Sequence, residues 1–318
     1  MDVWNYATDV RIFILMGIVL ALCIGSLGEI VSTLSIVVLI FQMTASIQGL
    51  HLDREEMRRD LCPSLISLFC CFGLCTATAL LCGLFFRGDQ ALWYGWVMLA
   101  SVPAGVSVVT LSLMMKGNMA MTLLSMVIIY GCALAITPLM TYVLIGDAVS
   151  PLEILKYIIL FIGIPVFLNI PLSRVTIQRK YKVTFINFMM MLLIIFALGT
   201  NRDFIFSNLD IIGCIVLLCA IRTFGVATFM LMVMKRKGCN RENTLVHVGY
   251  SVWKNSGLGA SLCMILLVAY PLAALPCALS LVTESVWFAI TNKEVATRWP
   301  SKLYPEETVM HVPTAEKH

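Results

Sequence analysis

The sequence has few charged residues. Asp, Glu, Lys and Arg together make up 13% of its 318 positions, whereas soluble proteins carry about 25%. Hydrophobic residues supply 60% of the chain, and the mean hydropathy is +0.93. This composition excludes a soluble domain and predicts an all-α integral membrane protein. The formal net charge of +4 is too small to indicate a nucleic-acid partner.

The groups that usually carry catalysis or bind metals are also scarce. The chain has only four histidines and no pair of Cys-x-x-Cys motifs. Most of its twelve cysteines lie in apolar runs, where a free thiol behaves as a small hydrophobic group. No nucleophile and base stand in a recognisable spacing, and no phosphate-binding loop is present. We therefore expect no enzyme activity, no cofactor and no metal, and the partners we expect are the lipid bilayer and a small molecule.

Ten apolar runs have the length of membrane-spanning helices. They cover residues 12–27, 30–48, 63–85, 91–115, 119–145, 152–172, 183–199, 209–234, 243–267 and 269–291. Lysine and arginine cluster after the even-numbered runs, and the loops on the opposite side offer little besides Arg87 and Arg202. The positive-inside rule then predicts that both termini are cytoplasmic, in a protein of the plasma (inner) membrane.

Ten helices divide into two halves of five, and an odd number per half gives the halves opposite orientations. The sequence thus predicts inverted repeats at residues 1–150 and 151–296, followed by a flexible cytoplasmic tail at 297–318. The fourth helix of each half is interrupted, by Ser101–Gly105 in the first and by Gly249–Gly259 in the second. Paired interruptions indicate a binding site near the membrane midplane. Either interruption alone is as typical of a helix kink or of close helix packing as of a binding site.

The residues at both interruptions resemble the bile acid:sodium symporter family. Pro103–Asn118, continuing to Thr137-Pro138, is similar to the family's crossing-helix motif. Asn255–Ser261 is similar to its Gln-Asn-Ser-Gly-Leu-Ala segment. The resemblance implies a panel of helices one, two, six and seven and a core of the other six, with discontinuous helices four and nine crossing. It also implies organic-anion substrates, such as bile acids or small carboxylates, bound beside the crossing and driven by two sodium ions.

Carried over to this chain, the resemblance assigns a set of crossover and substrate residues. They are Pro103, Gly105, Ser107, Thr110, Ser112, Asn255, Ser256 and Gly257. For Thr110 and Ser112 the alternative is a hydroxyl that bonds back to its own helix.

The family's sodium ligands are largely absent. Their positions fall on Val108, Val109, Met126, Tyr250 and Lys254, while Thr122 keeps one hydroxyl of the family's Ser/Thr pair. Sodium needs several oxygen ligands, and valine and methionine supply none. We therefore predict that both sodium sites are lost and that the Lys254 ammonium, a point charge with three donors, takes the place of a cation.

The residues predicted to replace the cation or to take part in coupling are Lys254, Tyr250, Ser251, Thr122 and His247. Four of them, residues 247, 250, 251 and 254, have the spacing of one helix face. A permanently protonated Lys254 predicts a uniporter or exchanger, whereas a lysine that cycles its proton predicts proton coupling. The alternative of a lysine that snorkels to the membrane surface is disfavoured because Lys254 lies deep in its span. His247 is either a proton relay or simply solvated.

Arg222 and Glu284 are two further charges inside apolar runs. Arg222 either meets an anionic substrate or pairs with Glu284, and the ion pair is favoured.

The sequence thus predicts a secondary transporter of an organic anion that works by alternating access without sodium. One alternative is a conventional sodium symporter whose cation sites are built from other residues. A membrane enzyme is a second alternative, and the missing catalytic groups argue against it.

Overall fold

The computed structural model describes residues 9–28, 30–48, 54–172, 175 and 177–298, and within these ranges every regular element is a helix. We number the α-helices in chain order. They are α1 (Val10–Ile24), α2 (Ile30–Ile47), α3 (Arg54–Phe69), α4 (Thr76–Gly83), α5 (Gln90–Ser101), α6 (Ser107–Met114), α7 (Met119–Ile145), α8 (Pro151–Leu172), α9 (Arg179–Gly199), α10 (Arg202–Ser207), α11 (Leu209–Arg236), α12 (Arg241–Val252), α13 (Ser256–Leu266) and α14 (Ala274–Arg298). Most of the predicted tail lies outside the described residues.

Seven helices of the described part are long and apolar enough to cross a membrane without interruption. They are Ile30–Ile47, Arg58–Phe86, Met119–Ile145, Pro151–Leu172, Lys180–Gly199, Leu209–Arg236 and Pro271–Thr291. The other three predicted spans correspond to the short helix α1 and to two helices broken in the middle, α5–α6 and α12–α13. Helices therefore occupy all ten predicted runs, while ten membrane crossings and an inverted repeat stay predictions.

Asp and Asn side chains mark the starts of several helices. Five such side chains accept a hydrogen bond from a backbone amide of the first turn and so cap α1, α5, α7, α12 and α13. They are Asp9, Asp89, Asn118, Asn240 and Asn255. The breaks between apolar helices are thus marked by a polar cap that a hydropathy window does not register.

The third predicted span is longer than expected and changes its helical form in the middle. It begins at Arg54 rather than near residue 63, because its first turns are too polar for an apolar window. A π-helix at Cys70–Cys75 then joins α3 to α4. Cys71 and Cys75 are fully buried, and Thr76 nearly so. The wider turn of a π-helix often accompanies a functional site, and here it turns these three residues toward the centre of the protein.

The helices differ greatly in how much of their surface is covered. Helix α9 packs against α1 and α2, and α2 packs against α8. Only 22% of the α8 span is buried, as expected for a helix with an apolar face toward lipid, whereas 78% of the Pro271–Thr291 span is buried. That buried helix, α14, contacts α5, α11 and α13. The two broken helices thus lie in the interior.

Candidate functional site

The two predicted helix breaks meet at the centre of the protein. Between α5 and α6, and again between α12 and α13, the chain is extended, and Ala104 forms an isolated antiparallel bridge with Lys254. The Asn255 amide donates to the Pro103 carbonyl at 2.7 Å. Ala104 is 1% exposed and Lys254 is fully buried. The paired interruptions predicted from the sequence therefore form one crossing.

Gly105 allows the two extended segments to approach closely. A Cβ atom at this position would lie 3.1 Å from the Lys254 carbonyl oxygen and 3.1 Å from Cδ1 of Trp253. Both distances are tighter than ordinary van der Waals contact, and the first is to a backbone atom that cannot turn aside. A side chain here would push the two strands of the crossing apart.

Groups from other elements hold the C-terminal end of helix α5. Four consecutive carbonyls accept hydrogen bonds from outside α5: Ala100 from Thr76 (2.8 Å), Ser101 from Thr137 (2.7 Å), Val102 from Lys254 (2.9 Å) and Pro103 from Asn255. Helix ends need such partners, since their last carbonyls have none within the helix. Other elements thus hold the end of the first broken helix in place.

The Lys254 ammonium is enclosed by acceptors. Its Nζ donates to Thr76 Oγ1 at 3.0 Å and to the Val102 carbonyl at 2.9 Å, and it lies 3.9 Å from Cys71 Sγ. It also stands 4.8 Å from the ring centroid of Phe72, within cation–π range. Among the described residues, no carboxylate lies within 4.0 Å of it. Lys254 is thus buried with its hydrogen bonds made but without an acidic partner.

The arrangement around Nζ fits a protonated lysine. Thr76 directs its only hydroxyl hydrogen to the Ala100 carbonyl, so its oxygen accepts from the lysine. The Val102 carbonyl also can only accept. An ammonium offers three donors to these two oxygens and to the sulfur of Cys71, and the face of the Phe72 ring also favours a cation.

Arg222 reaches the end of the second broken helix. Its Nη1 donates to the Val252 carbonyl at 3.2 Å and contacts Cys75 Sγ at 3.2 Å. Its Nη2 donates to Glu284 Oε1 at 2.5 Å and to Ser280 Oγ at 2.7 Å. The structure therefore contains the ion pair that was favoured for Arg222, and both side chains are buried. Nε of Arg222 has no hydrogen-bond partner among the described residues.

A tyrosine and apolar side chains occupy the positions at which the resemblance predicted the other cation ligands. The fully buried Tyr250 donates to the Thr122 carbonyl at 2.6 Å, while the Thr122 hydroxyl bonds back to Asn118 of its own turn at 2.7 Å. Val108 packs so closely on α12 that a Cβ at Gly249 would lie 3.0 Å from its Cγ1. Val108, Val109 and Met126 are all buried.

The prediction that residues 247, 250, 251 and 254 share one helix face is wrong for Lys254. His247, Tyr250 and Ser251 lie on α12, but that helix ends at Val252, so Lys254 stands in the extended bridge beyond it. The seven-residue spacing assumes an unbroken helix, which this chain does not form. His247 is 3% exposed and its Nδ1 lies 3.1 Å from Ser67 Oγ, so it is not solvated. Ser251 Oγ donates to Val248 of its own helix.

A narrow cleft lies beside the crossing, with a volume of about 20 Å³. One wall comes from α2 and α9, through residues such as Gln42 and Leu193, and the other from the crossing. The predicted residues that line it are Gly105, Ser107, Lys254, Asn255, Ser256 and Gly257. In this conformation the cleft has room for about one water molecule.

Three of the predicted substrate residues have their polar groups already engaged or turned elsewhere. Asn255 accepts from the Leu258 amide and donates to the Tyr130 hydroxyl at 3.1 Å. Ser256 donates to Glu284 Oε2 at 3.3 Å. Ser112 is fully buried and does not line the cleft, and no hydrogen-bond partner for its hydroxyl lies among the described residues. Ser107 and Thr110 are partly exposed, and only Ser107 lines the cleft.

Sequence reasoning missed the third-helix residues that face the two cations. Thr76, Cys71 and Cys75 contact Lys254 or Arg222, yet the cysteines read as small hydrophobic groups in an apolar run. A usable signal was their close spacing, since Cys71, Cys75 and Thr76 lie within six positions of a span otherwise poor in polar groups.

The sequence model of the Sodium Bile acid symporter family matches residues 33–209, which is more than half of the chain. The chain belongs to this family. A search of curated proteins found no match. Membership in a transporter family and seven long apolar helices together identify an integral, multi-pass membrane transporter. The matched range includes α5, α6 and the first helix break, while the second break lies beyond it.

Proposed function

We propose that this protein is a secondary transporter of an organic anion, working by alternating access without sodium, with Lys254 as a built-in cation. The family supports a substrate of the bile-acid or small-carboxylate class. The observation that carries the sodium-independent part is the cage around Lys254, where an ammonium holds the Val102 carbonyl and Thr76.

The electrostatics of the crossing support this reading. A helix C-terminus carries about half a negative charge, and Lys254 stands at the end of α5, where a bound cation would also be stabilised. The positions that the family uses for sodium hold Val108, Val109, Met126 and Tyr250, whose side chains are apolar or already bonded. Too few oxygens are left there to coordinate a sodium ion.

The narrow cleft is the proposed substrate site. Its volume of about 20 Å³ is far below that of any organic anion, so substrate entry requires α2 and α9 to move away from the crossing. Such a movement of one helix group against another is what alternating access entails. On this proposal, α1, α2, α8 and α9 form the panel, and the remaining spans form the core. Panel and core together span the membrane ten times, as two inverted repeats.

Uptake by proteoliposomes tests the proposal. We expect uptake of radiolabelled taurocholate or benzoate to be unchanged when choline replaces sodium, and loss of uptake in choline would overturn sodium independence. Lys254→Gln should reduce uptake by about tenfold or more, as loss of a buried charge-assisted interaction would. The control is Lys156→Gln on α8, since Lys156 is exposed and should be dispensable. Unchanged uptake by Lys254→Gln would remove Lys254 from the mechanism.

A further inference from the structure

The positive charge of Lys254 at the crossing affects the mode of transport, provided that the proposed function holds. We infer that this protein exchanges an anion on one side of the membrane for an anion on the other side. The carrier with an empty site changes sides only slowly. Uniport, proton coupling and exchange are all open to a sodium-independent carrier, and the buried charges favour exchange.

The buried charges at the crossing leave one positive charge uncompensated. Arg222 and Glu284 form an ion pair and cancel. Glu284 also accepts from the hydroxyls of Ser280 (2.8 Å) and Ser256 (3.3 Å), as expected for an ionised carboxylate. Lys254 is fully buried, and no described carboxylate lies within 4.0 Å of its Nζ. The net charge of this group of three side chains is therefore positive.

The Lys254 charge is held in place by its surroundings. Two oxygens that can only accept, on Thr76 and Val102, face Nζ together with the sulfur of Cys71. The Phe72 ring, 4.8 Å from Nζ, and the C-terminal end of α5 both favour the charged form. The cage thus favours a charge that persists through the transport cycle over one that comes and goes.

An anion in the cleft would lie on the opposite side of Lys254 from the ammonium. Lys254 is among the residues that line the cleft, while the residues around its Nζ, Cys71, Phe72, Thr76 and Val102, are not. Attraction between the two charges acts across a protein interior of low dielectric constant, where it is stronger than in water. The anion would neutralise the crossing when the cleft closes.

The empty carrier is in a different position. To change sides, it must carry the buried Lys254 charge through the membrane interior without an anion beside it, which is costly. A sodium ion can leave its site together with the substrate, but a lysine cannot leave. A built-in cation therefore allows easy passage of the loaded carrier and hinders the empty one.

Efflux from proteoliposomes in sodium-free potassium chloride, short-circuited with valinomycin, tests the inference. Vesicles loaded with radiolabelled benzoate or taurocholate are diluted into buffer with or without the same unlabelled anion. We expect efflux about tenfold or more faster with external anion, which corresponds to about 1.4 kcal/mol in the barrier. Equal efflux in both buffers would overturn the inference, and so would a change of luminal pH that follows the flux.

Three variants connect the result to the charge. Lys254→Arg keeps a positive charge and should keep the ratio of exchange to net efflux, as should the exposed control Lys156→Gln. In Lys254→Gln, the ratio of exchange to net efflux should fall close to one in the flux that remains. A wild-type ratio in this variant would contradict the role of the charge. An absolute need for sodium, or no transport of either probe, would instead contradict the proposed function.

Discussion

The crossing contains two buried cations, Lys254 and Arg222, which bond to helix ends in the same way but have different neighbours. Lys254 donates to Val102 at the end of α5, and Arg222 donates to Val252 at the end of α12. Both also contact the π-helical segment of the third span, through Cys71 and Cys75 respectively. Arg222 is neutralised by Glu284, whereas Lys254 has no such partner among the described residues.

This difference separates a structural role from an electrostatic one. A buried ion pair organises its neighbours but adds no net charge, and removing one partner is costly because it leaves the other charge unpaired. A buried lysine bonded only to neutral groups contributes its full charge to the site. We therefore expect substitutions of Arg222 to affect stability first and substitutions of Lys254 to affect transport first.

Arg222→Met should cause the largest loss of stability. The substitution leaves the Glu284 carboxylate buried without its cation, which costs about 3–5 kcal/mol. Lys254→Met leaves no charge behind and only frees the acceptors of Val102 and Thr76, at about 1–3 kcal/mol. The free energy of unfolding of purified variants in detergent should rank wild type, Lys254→Met and Arg222→Met in falling order.

The matched control for this prediction is the double variant Arg222→Met/Glu284→Leu. Removing both partners takes away the unpaired carboxylate, so the double variant should recover much of the stability lost by the single one. A double variant as unstable as Arg222→Met would mean that the contacts of Arg222 with Val252 and Ser280, rather than the ion pair, carry its effect.

The crossing could be predicted from the sequence because its signals are local. Proline and glycine at residues 101–105, and three glycines at residues 249–259, interrupt otherwise apolar spans. Two such interruptions at equivalent places in a ten-helix count indicate a shared site. The bridge between Ala104 and Lys254 lies where these interruptions meet. The depth of Lys254 in its span also indicated that it had to be satisfied by the protein.

The partners of Lys254 could not be predicted, because they depend on which distant helices meet, whereas Glu284 was the favoured partner of Arg222 on residue type alone. Thr76 lies 178 positions from Lys254 in the chain, and Glu284 lies 62 positions from Arg222. A single sequence contains no signal for either pairing beyond residue type. The π-helix that turns Cys71 and Thr76 toward the crossing also has no distinctive composition, so the cage around Lys254 required the structure.

Gly105→Ala and Gly257→Ala compare the two breaks of the crossing. At Gly105 the new methyl would meet the backbone carbonyl of Lys254 at 3.1 Å, whereas at Gly257 it would meet the tip of the Leu193 side chain at 3.1 Å. A backbone atom cannot turn away, so we expect Gly105→Ala to cost about 1–3 kcal/mol. Leu193 can change its rotamer, so Gly257→Ala should cost less. The free energy of unfolding in detergent measures both effects. Equal losses would show that the crossing tolerates separation of its two extended segments at Gly105.

The smallest effect is expected at Ser251, next to one of the most constrained side chains of the site. Its hydroxyl donates to Val248 of its own helix, so Ser251→Ala should change the free energy of unfolding by less than about 0.5 kcal/mol. Tyr250→Phe removes the bond from α12 to the Thr122 carbonyl on α7, and should cost about 0.5–1.5 kcal/mol. Uptake by Ser251→Ala should equal that of wild type. A tenfold fall in uptake with unchanged stability would contradict this expectation. It would mean that the Ser251 hydroxyl leaves the Val248 carbonyl during the transport cycle and takes part in coupling.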